Sequence, residues 1–182
     1  NDPSQFFKDI FRKEPYFYQQ RIMRSIKDIN RLLICAAGGT GKTQLLAGIA
    51  LWFTVIYSNV NKMRYDVIII SGSLTQSKIL YQYIREAIQD NPIIQDLIEG
   101  ESLISQTTFK NKSMIKAVAK SLTSIQGQHC NMVLVDEAVL AGDFILRDTL
   151  RIIGPMKDSK IIFSSTPLNE IKGELFIEMW ED

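Results

Sequence analysis

Cysteine is scarce in this chain of 182 residues: there are two, Cys35 and Cys130, each in or beside an apolar run. Two thiols placed this way exclude a disulfide framework and fit a reducing compartment, where they pack as small hydrophobes. The single histidine, His129, has only Cys130 beside it, so a loop or edge role outweighs a metal pair. Neither sign of charge prevails. With 21 Lys and Arg against 20 Asp and Glu, the formal charge is +1, so any nucleic-acid surface must be local. The longest nearly unbroken apolar run, 47–57, falls short of the roughly 20 residues a bilayer crossing needs, and no membrane span is expected. The first residues, Asn1, Asp2, Pro3 and Ser4, include no initiator Met and no basic-then-apolar signal pattern, so the chain is expected to be part of something longer. The five prolines and ten glycines build no linker and no repeat, so one domain is expected over 1–182. Hydrophobic residues at 46% and charged residues at 23% are in the range of folded globular chains rather than disordered ones.

What is present is a series of short, mainly apolar runs alternating with helical patterns. The runs 32–35, 66–71, 132–135 and 160–164 read as buried strands. Helical patterns occupy 43–57, apolar almost all round, then 74–89, which ends at Asn91 and Pro92, and 143–152. Between 103 and 118, two roughly alternating runs flank Lys110, Asn111, Lys112 and Ser113, a pattern for a hairpin at a sheet edge. Strands that lose polar alternation are buried on both faces, so the fold class is α/β, with a mainly parallel central sheet and helices on both sides. A helical segment over 1–30 precedes a core over 31–182.

Four constellations carry chemistry. The first lies between the strand 32–35 and the helix from 43: Ala36, Ala37, Gly38, Gly39, Thr40, Gly41, Lys42 and Thr43. This is the phosphate-binding P-loop pattern with Ala36 in place of its first glycine. Its glycines let backbone N–H groups turn toward a phosphate, Lys42 reaches the outer phosphates, and the Thr43 hydroxyl suits Mg²⁺. The second is Val133, Leu134, Val135, Asp136 and Glu137, a strand that delivers two acids at the sheet edge where ligands bind. Asp136 is placed to hold Mg²⁺ and Glu137 to activate a water against a γ-phosphate. The third is Ser164, Ser165, Thr166 and Pro167 after a buried strand, where a hydroxyl such as that of Thr166 is in reach of the phosphate or its attacking water. The fourth is Pro15, Tyr16, Phe17, Tyr18, Gln19 and Gln20, where the Gln19 amide can donate to and accept from the edge of adenine. Trp52 and its aromatic neighbours read as core. The N-terminal cations Lys8, Arg12, Lys13, Arg21, Arg24, Lys27 and Arg31 read more as a solvated face than as DNA contacts.

Together these segments resemble the ATPase domain of the large terminase subunit, the DNA-packaging motor of tailed viruses. The hydroxyls at 164–166 are similar to the family's coupling motif, Gly173, Phe176 and Trp180 to the tail after it, Tyr18 and Gln19 to its adenine motif, and 121–127 to its Ser-x-Arg-Gly segment. The chain departs from the pattern in having no Arg between 32 and 42 and in carrying Gln126 where a trans-acting Arg is usual, which leaves Arg85, Arg147 and Arg151 as substitutes. The resemblance implies a P-loop sheet with the coupling strand between the P-loop strand and the Asp-Glu strand. It implies ATP and Mg²⁺ as ligands, double-stranded DNA as the moved polymer, and a homo-oligomeric ring on a portal. A small terminase subunit, a downstream nuclease domain and a place in the host cell cytoplasm are implied as well. Helicase-like remodelling, or ATP binding without turnover in an assembly module, are the alternatives.

Overall fold

A computed structural model of the chain describes residues 2–71, 74–100, 105–118, 130–153, 159–167 and 174–181. The stretch 121–127 with Gln126, together with His129 and Gly173, lies outside them, and the Trp180 side chain is likewise not described.

Two helices come first, α1 (Pro3–Phe11) and α2 (Phe17–Ser25), followed by β1 (Arg31–Cys35). A long helix then runs from the P-loop as α3 (Lys42–Leu51), a π-helical segment (Trp52–Tyr57) and α4 (Ser58–Asn61). After it come β2 (Asp66–Ser71), α5 (Leu74–Gln89), α6 (Pro92–Gln95), β3 (Gln106–Thr108) and β4 (Met114–Ala117). The chain closes with β5 (Met132–Asp136), α7 (Ala138–Ala141), α8 (Asp143–Ile153), β6 (Lys160–Ser165) and α9 (Glu174–Glu181).

The sheet order is β1-β6-β5-β2-β4-β3, with every pair parallel except β3–β4. The strand carrying Ser164 and Ser165 thus lies between the P-loop strand and the Asp-Glu strand, as expected, and the 103–118 hairpin closes one edge through β3. Successive residues of a strand point to opposite faces. Val67, Ile69, Leu134 and Ile162 accordingly join the core under α1, α2, α3 and α5, whereas Ile68, Ile70, Val133, Val135, Ile161 and Phe163 join the core under α7, α8 and α9. Burial of each such side chain is worth about 1.5–3 kcal/mol, so both faces drive the sheet to form.

Two expectations needed adjustment. The helix 43–57 is longer than its apolar run: 42–61 is continuous for 20 residues and passes the length and composition test for a membrane crossing. Of its most apolar window, 67% is buried inside the fold, so its apolar surface is used by the core. The helix also widens into π geometry at 52–57, where Thr54 Oγ1 donates to the Ala50 carbonyl (2.8 Å) and Asn111 Nδ2 donates to the Thr54 carbonyl (2.9 Å). An inserted side-chain donor of this kind relaxes the helical ladder. Asn91 and Pro92 end α5 as expected, and Pro92 then opens α6 with Asn91 at its N-cap.

Candidate functional site

The C-terminal ends of β1, β2, β5 and β6 meet at one edge, with Cys35 opposite Ser165, Asp136 opposite Ser164 and Ser71 opposite Asp136. From β1 the chain turns through Gly39 (φ 75°) and Gly41 (φ 83°) into α3. At Gly41 a side chain is excluded twice, by the left-handed backbone and by Gln19 Nε2, which a Cβ would meet at 2.8 Å. Lys42 is 5% exposed, and its ammonium donates to the carbonyls of Ala36 (2.8 Å) and Ala37 (3.0 Å). Thr40 Oγ1 donates to the Ala37 carbonyl (2.8 Å), and the loop is braced from outside by Tyr18, whose hydroxyl donates to the Thr40 carbonyl (2.8 Å).

The acids are held from α3, from β2 and from the chain that follows β6. Thr43 Oγ1 donates to Asp136 Oδ2 (3.0 Å), Ser71 Oγ donates to the Asp136 carbonyl (3.0 Å), and the Glu137 N–H donates to Asp136 Oδ1 (3.1 Å). Burial pushes the Asp136 carboxyl above its ordinary range, and the Thr43 hydroxyl acts in the opposite direction. Glu137 leaves β5 in the left-handed conformation (φ 50°, ψ 53°), and Thr166 Oγ1 donates to its Oε2 (3.2 Å). Of the hydroxyls at the end of β6 and just after it, only that of Thr166 bonds to a carboxylate of the acid pair. Ser165 Oγ accepts from the Val139 N–H (3.4 Å), and Ser164 Oγ is buried without a partner.

Gln19 is placed differently from the adenine-edge expectation. It is 2% exposed; its Oε1 accepts the Tyr16 N–H (2.8 Å) and its Nε2 donates to the Gly41 carbonyl (2.9 Å). The first of these bonds is half of a capping box for α2. Beside it Tyr16 and Phe17 are exposed, and Lys13 stands over the Tyr16 ring. Sequence reasoning missed Ser71 altogether; a serine ending an apolar strand is the only signal it carries. Among the substitutes for the missing arginine, Arg151 pairs with Asp148 (3.2 Å) and Arg147 faces Glu178 (4.0 Å). Trp52 is core, 1% exposed. The N-terminal cations are mostly engaged within the chain, Lys8 with Glu14, Arg24 with Asp2, and Arg12 with the Asp90 carbonyl.

A glycine-rich turn between a strand and a helix, facing an acid pair two strands away, defines a P-loop nucleotide-binding architecture. No family model and no curated protein matches the chain. Solved structures do match: the HK97 bacteriophage large terminase aligns with TM-score 0.77 and 17% identity over 98% of this chain and 40% of its own. A Thermus phage large terminase ATPase domain aligns with TM-score 0.73 and 16% identity over 98% of this chain and 74% of its own. A DEAD box protein from Methanococcus jannaschii aligns with TM-score 0.59 and 13% identity over 98% of this chain and 51% of its own. The chain has the fold of phage large terminase ATPase domains and spans two-fifths of the HK97 protein's length.

Proposed function

We propose that the chain is the ATPase domain of a terminase-like packaging motor, binding ATP with Mg²⁺ and hydrolysing it to translocate double-stranded DNA into a viral shell. The observation that carries this reading is the convergence of Lys42, Thr43, Asp136, Glu137 and Thr166 on one sheet edge, with each acid already hydrogen-bonded to a hydroxyl from another element. The Thr43 hydroxyl and the Asp136 carboxylate are hard oxygen donors of the kind Mg²⁺ takes, so the residues fit that ion. When bound there, Mg²⁺ supplies neutralisation of phosphate charge.

The protein's own groups do the rest. Lys42 exchanges its two carbonyl acceptors for the outer phosphate oxygens, and the P-loop N–H groups of 37–43 surround the phosphates. Glu137 takes the proton of the attacking water, with Thr166 fixing the orientation of its carboxylate. Tyr16 and Phe17 offer ring surface for the base, while Gln19 holds the loop. A homo-oligomeric ring on a portal, a small subunit, a nuclease domain of the same protein and action in the host cytoplasm complete the reading. Helicase-like remodelling is the second reading, since a DEAD box protein shares the fold over 98% of this chain. A module that binds ATP without turnover has no use for the Glu137–Thr166 contact.

Steady-state Mg-ATP hydrolysis over a range of protein concentrations, with and without linear duplex DNA, tests the proposal. Turnover that rises more than linearly with protein and responds to DNA is expected of a ring motor. Lys42→Ala is expected to abolish nucleotide binding, and Glu137→Gln to retain binding while losing about 10²- to 10⁴-fold in turnover. Wild-type turnover in Glu137→Gln would remove Glu137 as the base.

A further inference from the structure

The long helix that begins at Lys42 ends at Lys62, roughly 30 Å away at the opposite end of the sheet. There the turn after α4 is joined to the β3–β4 turn. Asn111 Nδ2 donates to the Thr54 carbonyl (2.9 Å) and to Ser58 Oγ (2.8 Å), and the Tyr65 N–H donates to Ser113 Oγ (2.9 Å). These two joined turns and their flanks carry four cations, Lys62, Arg64, Lys110 and Lys112, all exposed. Two acids lie among them. Asp66 is buried and engaged by Arg64, and Glu99 is an exposed partner of Lys112. Lys62 and Lys110 form no ion pair among the described residues.

The backbone supplies a second observation. Among the described residues, four non-glycine positions have positive φ: Arg12, Lys62, Lys112 and Glu137. Such positions favour glycine, and a side chain kept there costs roughly 1–2 kcal/mol. Arg12 uses its side chain on the Asp90 carbonyl, and Glu137 belongs to the acid pair. At Lys62 (φ 51°) and Lys112 (φ 69°) a lysine stands in each of the two joined turns where glycine would fit more easily. The turns are closed by Met63 N–H to the Ser58 carbonyl, Lys112 N–H to the Phe109 carbonyl and Ser113 N–H to Asn111 Oδ1, so neither turn uses a lysine ammonium to close, and that of Lys112 reaches across to Glu99.

We infer that this surface, with Lys62, Lys110 and Lys112 as its cations, contacts the phosphate backbone of double-stranded DNA at the end of the P-loop helix remote from the nucleotide. The inference rests on the DNA-translocation reading above and names where on this chain the duplex lies. Arg64 is held by the buried Asp66 and borders the surface, whereas Lys112 pairs with the exposed Glu99, a surface ion pair weak enough for a phosphate to displace. Phosphate contact needs point charges on short turns that follow a groove rather than a shaped pocket, which suits the two lysine-bearing turns.

The test combines Lys62→Gly and Lys112→Gly with Lys110→Ser and follows binding of a fluorescent duplex of about 30 base pairs between about 50 and 200 mM salt. Each lost phosphate contact lowers the salt slope by about 0.9, so the triple variant is expected to lose two to three units of slope and about tenfold or more in affinity. Its melting temperature is expected to be unchanged or higher, because glycine relieves both left-handed turns, and its DNA-free ATP turnover to stay at the wild-type level. Unchanged slope and affinity would overturn the surface alone. Loss of binding to polyglutamate with duplex binding intact would assign the surface to an acidic protein and overturn the inference. A wild-type chain that binds no duplex even at low salt would overturn the surface and the DNA-translocation reading together, whereas Glu137-dependent turnover in that same protein would leave the ATPase reading standing.

Discussion

Glu137 stands where a side chain and its backbone conformation conflict, and the conflict predicts a separable outcome. Glu137→Gly should lose turnover as Glu137→Gln does, yet gain roughly 1 kcal/mol of stability from relief of the left-handed residue, read by thermal or urea unfolding. A Glu137→Gly protein no more stable than Glu137→Gln would show that the conformation carries no strain. Gln19 predicts the reverse pairing. Gln19→Ala leaves the Tyr16 N–H and the Gly41 carbonyl without their buried partner, so a loss of about 1–3 kcal/mol in stability is expected. ATP and GTP affinity should weaken together. Selective loss of ATP over GTP, with stability unchanged, would return Gln19 to the adenine edge. At this scale much was legible from sequence, because Lys42, Thr43, Asp136 and Glu137 sit in motifs whose spacing is set by the backbone of one turn or one strand end. Gln19 was legible as a special residue but not in its contacts, since which way an amide points depends on a loop 22 residues away. Ser71 gave only the weak signal of a serine at a strand end, because its bond to the Asp136 carbonyl exists only through sheet register.

Elements were legible where apolar period and length agreed, as for β2, an apolar run framed by Asp66 and Ser71, and α5, a helically spaced one. The π segment was not, since 52–57 is apolar but for Thr54 and nothing in that run announces that Asn111, far along the chain, will donate into it. Packing of α1 on α3 depends on one glycine. A Cβ at Gly48 would lie 2.6 Å from Phe7 Cδ2 and 3.3 Å from Phe11 Cε2, so Gly48→Ala must displace α1. Alanine's helix propensity returns about 1 kcal/mol, while overpacking costs about 1–3, so net destabilisation is expected in urea unfolding. A stabilised Gly48→Ala protein would show that α1 yields without cost. Displacing α1 also disturbs α2, which it touches and which carries Gln19, so weaker nucleotide binding should accompany the loss.

For the whole molecule, the sheet order was legible from the resemblance and the edge hairpin from alternation, whereas the joining of the two lysine turns needed the fold. The two cysteines offer a test of global packing. Cys130 is 3% exposed and burial pushes its thiol up to about 12, whereas Cys35 is half-buried at the mouth of the P-loop. In the native protein a thiol reagent near pH 8 should modify Cys35 alone, and ATP should slow it. Equal labelling of both would mean that the β5 side of the core opens readily.

β1 has β6 on one side and, among the described residues, no strand on the other. In parallel pairing, alternate residues bond to the neighbour, and Asn30 and Ala36 both bond to β6, so the main-chain groups of Leu33 point outward. That edge carries one charge, Arg31, and no proline. Nature usually blunts such a border because it templates the backbone of another chain. A concentrated sample of these 182 residues should therefore self-associate side by side through β1, in assemblies that complete no nucleotide site. Growth of particle size with concentration, without growth of specific turnover, is the mark of such sticking, and a lysine placed at Leu33 should suppress it while sparing any functional ring.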